Sequence, residues 1–126
     1  MTTVRIKLGI GIREVSDTTL AKLKVRADEG ILLAEFGVPR LYEGASMREK
    51  IERYAKVLLD RVCARITNIE RGEDGFIYGD VEAHGPLSRI VSQTIDSGRG
   101  ENLVFSIRVI SRGAEKEAIT YDLVKF

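Results

Sequence analysis

The segment LVFSIRVISRG spans Leu103–Gly113, and its reading decides the fold. It is too apolar for a solvated surface and rich in β-forming residues, so it reads as a buried strand, Leu103–Arg112. Ser106 lies inside it. A hydroxyl there either makes a quiet hydrogen bond or meets a substrate. The neighbouring Arg108 and Arg112 suit a carboxylate or phosphate, although arginines in such runs more often lie on a solvated or interface face. "GAEK" then turns the chain, and EAITYDLVKF (Glu117–Phe126) is a last strand.

Working back toward the N-terminus, "HGP" opens a helix over Leu87–Ser97. Pro86 stands where a missing N–H costs nothing, and Leu87, Ile90, Val91, Thr94 and Ile95 form its buried face. Before it, Val62, Ala64 and Ile66 alternate with polar partners in a strand to Glu70. "RGEDG" is a hairpin loop, and FIYGDVEA returns. Ser46 with Glu49 three residues on is a capping-box pattern, and it opens a helix over Ser46–Lys56. Leu23, Val25 and Ala27 alternate with Lys22, Lys24 and Arg26, which predicts a strand. "ADEG" would join it in a hairpin to ILLAEF, Ile31–Phe36. Val4, Ile6, Leu8, Ile10 and Ile12 alternate in a first strand, with Gly9 and Gly11 on its other face. Those two glycines are too sparse for a phosphate loop. The sum is an α+β domain over residues 1–126. It is a mostly antiparallel sheet or small open barrel of about seven strands and two helices.

Composition narrows the function. The 126 residues carry 20 basic and 19 acidic side chains, so no strong field points to nucleic acid. One cysteine, Cys63, excludes an internal disulfide and a thiolate cluster, and on a β-forming stretch it reads as a small buried hydrophobe. One histidine, His84, excludes a zinc site built on several histidines, and no metal or cofactor is expected. No apolar run reaches the roughly 20 residues of a membrane span, and the first residues lack the apolar core of a signal peptide.

Five stretches, in order, resemble the prohead proteases, or head maturation proteases, of tailed bacteriophages, whose fold is related to that of the herpesvirus assemblins. LLAEFGVPR resembles the family's GEL-x-HP segment. DRVCARITNI resembles the strand that often reads RVSHxI. GFIYGDVEAHGPLSRIVSQTID resembles the strand, proline corner and helix that lead to the nucleophile. VFSIRVISRG resembles the nucleophile strand, and ITYDLV the TFDLV strand after it. The resemblance covers Ile31–Val124.

It implies a serine nucleophile at Ser106, with Ser111 a poorer candidate. Serine needs an adjacent base. The family's histidine falls here on Val38, and its second histidine on Ala64. Neither side chain accepts a proton. Glu35, Glu82 and Asp122 are available to orient a base, but His84 is the one residue left to serve as it. It stands before Gly85-Pro86, where a helix-start or loop role is the plainer account.

The implied protein is a phage head-assembly component with a prohead-protease fold and a degenerate site. It is a piece of the prohead core or capsid, or a regulator docked on a protease or scaffold. Its place is the prohead or virion, assembled in the host cytoplasm. Scaffold, capsid or protease proteins and further copies of the chain are its expected partners, with no nucleic acid or membrane. Its C-terminal strand or the Ser46–Lys56 helix is expected in a contact with another chain. Two rivals stand beside this. One is a working serine endopeptidase with His84 or a neighbouring subunit as base. The other is an unrelated small β-rich binding module.

Overall fold

The computed structural model describes residues 3–8, 15–112 and 115–126. Six strands and three helices follow one another in an α+β arrangement: β1 (Thr3–Leu8), α1 (Asp17–Asp28), β2 (Leu33–Glu35), α2 (Met47–Tyr54), β3 (Val62–Arg71), β4 (Ile77–Ala83), α3 (Ser88–Asp96), β5 (Val104–Arg112) and β6 (Glu115–Lys125). One antiparallel sheet has the order β1-β4-β3-β2, and β5 pairs with β6 in a second. A parallel bridge, Phe36 to Leu123, joins them. The Gly37 N–H donates to the Leu123 carbonyl at 2.7 Å, and the Thr120 hydroxyl donates to the Leu33 carbonyl at 2.7 Å. At the far edge β1 packs against β5, but among the described residues no bridge closes the ring. The sheets therefore wrap one core as an open barrel. Phe105, Tyr121 and Leu123 of the second sheet meet Leu8, Ile66 and Val81 of the first inside it.

The alternating patterns account for most of these strands. Ile6 and Leu8 are buried while Arg5 and Lys7 are exposed; residues 9–12 of the expected strand lie outside the described residues. In β3, Val62, Ala64 and Ile66 face the core as expected. Cys63 is buried too, because α1 and α3 both pack on this strand.

The strand expected at Leu23–Ala27 is instead part of α1. "SDTT" does not merely end a strand. The Ser16 hydroxyl oxygen accepts from the Thr19 N–H at 3.1 Å and caps a helix. Leu20, Leu23 and Ala27 are its buried residues, at helical spacing, while Val25 points to solvent. "ADEG" is the end of that helix. Gly30 takes φ 74, its N–H donates to the Ala27 carbonyl, and the Ile31 N–H donates to the Arg26 carbonyl, a Schellman closure. Among the described residues the expected set of about seven strands and two helices thus becomes six and three.

The two expected helices form with shorter bounds, Met47–Tyr54 and Ser88–Asp96. The capping box of Ser46 and Glu49 is present, but α2 buries none of its residues. The helix after "HGP" packs on β3 and β4 rather than on the strand of Ser106. Its corner is tight: the His84 N–H donates to the Cys63 carbonyl and the Leu87 N–H to the Val62 carbonyl. Gly85 turns there at φ 85, and a Cβ on it would lie 2.7 Å from the Val62 carbonyl oxygen. Gly85→Ala is therefore expected to cost roughly 1–3 kcal/mol from the left-handed backbone alone, with the clash in addition. A urea midpoint unchanged in that variant would contradict the corner geometry.

Candidate functional site

Ser106 lies opposite Asp122 in the β5–β6 register. The bridge from Phe36 to Leu123 then sets Glu35 level with Asp122 on β2, so Glu35, Asp122 and Ser106 form one row across three strands. Residues two apart on a strand share a face, so Arg108 stands beside Ser106 on that side. Phe105, on the other face, is fully buried in the core.

Arg108 organises this face. Its Nε donates to Asp122 Oδ2 at 2.9 Å and its Nη2 to Asp122 Oδ1 at 2.5 Å. Nη2 also donates to Glu35 Oε2 at 2.9 Å. Nη1 donates to the Lys56 carbonyl at 2.6 Å, which ties the α2–β3 connection to β5. Glu35 accepts from Arg53 Nη2 at 2.6 Å and from the Leu58 N–H at 3.1 Å. The side chains of Arg108, Glu35 and Asp122 are 4%, 0% and 2% exposed. A charge buried this deeply persists only when paired and hydrogen-bonded, as here. Arg108 was expected on a solvated or interface face, and it does bind carboxylates, but internal ones.

The electrostatics follow from those contacts. Burial pushes the Asp122 carboxyl above its ordinary range, against the pull of Arg108. Burial pushes Glu35 the same way, yet hydrogen bonds from Arg53, Arg108 and the Leu58 N–H outweigh it and hold that carboxyl below its ordinary value. Burial opposes the charge on Arg108, and Asp122 and Glu35 more than restore it. Both oxygens of Asp122 are thus taken by one guanidinium. Those of Glu35 accept from two guanidinium groups and a backbone N–H, and the Arg61 guanidinium lies 3.6 Å away. Both carboxylates nearest Ser106 are thus already engaged by arginine side chains.

The other candidate positions are dispersed. Ser106 is half-buried, and among the described residues no side-chain hydrogen bond joins it to His84. His84 sits at the β4–α3 corner, in the other sheet system. Val38 follows Gly37, which turns at φ 77, and is exposed at the rim of a cleft of about 400 Å³ lined also by Phe36, Arg40, Arg53 and Arg61. Ala64 is fully buried in β3. Burial pushes the Cys63 thiol up to about 12, which keeps it protonated and inert. Glu82 accepts from Arg65 at 2.6 Å, away from the Ser106 row. Ser111 is exposed near the end of β5. Among the described residues no cluster of three or more His, Cys, Asp or Glu side chains could hold a metal, and no helix is long and apolar enough to cross a membrane.

The network as a unit was missed by sequence reasoning. Its signal was a single charge inside each of three apolar runs: Glu35 in ILLAEF, Arg108 in VFSIRVI and Asp122 in ITYDLV.

The model of the Peptidase S80 family matches residues 15–126 of the chain. No curated protein and no solved structure matches the chain.

Two outcomes are expected from this geometry. Arg108→Met strands two buried carboxylates and should cost about 3–5 kcal/mol in chemical denaturation, whereas Arg108→Lys keeps the charge without the fork and should fall between. The second concerns pH. A carboxyl held below its ordinary value stabilises the fold above that value and loses the contribution as pH falls through the lowered one. For Glu35 the loss therefore begins below about 4.5. Asp122, raised by burial, gains in the same direction and does not drive acid unfolding. Stability measured against pH should fall less steeply below that point in Glu35→Gln than in the parent.

Proposed function

The chain belongs to the Peptidase S80 family, the prohead serine proteases, and we propose that it serves phage head assembly by contact rather than by cutting peptide bonds. It would act as a structural piece of the prohead core or capsid, or as a regulator docked on an active protease or scaffold protein. Membership of the family sets aside the reading as an unrelated binding module.

The observation that carries the proposal is the state of the groups beside Ser106. The one carboxylate opposite it in the sheet is bound through both oxygens to Arg108. The position that matches the family's histidine is Val38, and that of the second histidine is the buried Ala64. A serine enzyme stripped of its base keeps only ~10³–10⁴-fold over water in well-studied cases, too little for processing a shell of many subunits. Ser106 is then a hydroxyl retained on a family strand, and the scaffold around it is what remains useful.

The test is incubation with the scaffold and capsid proteins of the same phage, alongside Ser106→Ala and His84→Ala. No cleavage by any of the three, each folded, is the expected result. Cleavage abolished by both substitutions, each made singly, would overturn the proposal and make His84 a relocated base. Cleavage lost only in Ser106→Ala would overturn it too and point to a base from a neighbouring subunit. In Val38→His, faint new activity would support descent from an active protease.

A further inference from the structure

We propose that α2 is a self-docking surface, through which two copies of the chain pair with their helices antiparallel about a two-fold axis. The inference does not depend on whether any peptide bond is cut.

The orientation of α2 comes from its polar anchors. Arg53 reaches inward to Glu35, and Glu49 turns back to the Ser46 cap and to the Tyr42 hydroxyl. Those contacts leave Met47, Arg48, Ile51 and Glu52 on the outward face. At positions i, i+1, i+4 and i+5 they form one continuous patch. Met47 is 70% exposed and Ile51 43%, so two large apolar side chains of a capped helix meet water. Arg48 and Glu52 beside them pair with each other at 3.2 Å, with side chains 89% and 59% exposed, and among the described residues no other ion pair holds them.

This patch is complementary to itself. In a two-fold interface residue i meets residue j and j meets i. An antiparallel pair centred between Met47 and Ile51 sets Met47 of one copy against Ile51 of the other. The same axis brings Arg48 beside Glu52 of the second copy, offset by about 3 Å along the helix and within reach of their long side chains, once on each side of the axis. Apolar meets apolar and each charge meets its opposite, twice. A partner of different sequence would have to supply that pattern, whereas a second copy already does. The area is small, so the association is weak in free solution and grows with local concentration.

Charge exchange tests the pairing. The residues are exposed, so the variants keep the fold, which circular dichroism checks. Sedimentation of the unmodified protein over about 10 μM to 1 mM should show the mass rising from 14.0 kDa toward twice that value. Arg48→Glu alone faces acid with acid and should stay monomeric, and Glu52→Arg alone faces base with base and should do likewise. Mixing those two variants should restore a dimer, and the double variant Arg48→Glu/Glu52→Arg should dimerise by itself. A strict monomer throughout would overturn the proposal, including the case in which the helix docks on a different protein. So would dimerisation indifferent to the single substitutions, or single-variant monomers whose mixture fails to associate.

Discussion

Arg108 is the point on which the second half of the structure depends. Its fork holds Asp122 on β6, a third bond reaches Glu35 on β2, and its remaining nitrogen holds the Lys56 carbonyl before β3. Three segments are thus tied to one buried guanidinium on β5. Such a cluster adds little net stability relative to a well-packed apolar one, since desolvation offsets most of the attraction. Its consequence is specificity of arrangement. Any slip of β6 against β2 or β5 would leave a buried charge alone, which the fold cannot tolerate.

That constraint also shapes the chemistry. The face on which Ser106 stands is rich in ionisable groups, the setting in which a nucleophile is usually activated. Here the same groups are consumed by one another. Asp122 gives both oxygens to Arg108, and Glu35 is shared by Arg108 and Arg53, so the perturbed carboxyls beside this serine are ion-paired. The family scaffold remains around them: the paired sheets, the proline corner with Gly85 at φ 85, and the helix that follows it.

The same network explains why α2 stands where it does without burying a residue. Its capping box closes one end, and Arg53 and the connection after Tyr54 are held at the other by Glu35 and Arg108. Polar anchoring leaves the apolar edge of the helix free. In α1 the balance is reversed. Leu20, Leu23 and Ala27 pack inward, and Arg26 donates to the Ala118 and Ile119 carbonyls to fasten the helix to β6.

By itself the sequence determined the features that depend on neighbours along the chain. The period of two in β3 and β4, the RGEDG loop between them, the Ser46 capping box, the helix after "HGP" and the strand around Ser106 were all legible, as was the order of family motifs. These are local: propensity, alternation and capping act over a few residues. Where two local patterns competed, tertiary structure chose. Leu23, Val25 and Ala27 fit a strand, but Leu20, Leu23 and Ala27 also fit a helix face, and packing on β3 and β6 selected the helix. The pairing of Arg108 with Glu35, 73 residues apart, had no local signature beyond a lone charge in each apolar run. Only the strand order, set by which faces could share one core, brought those charges together beside Ser106.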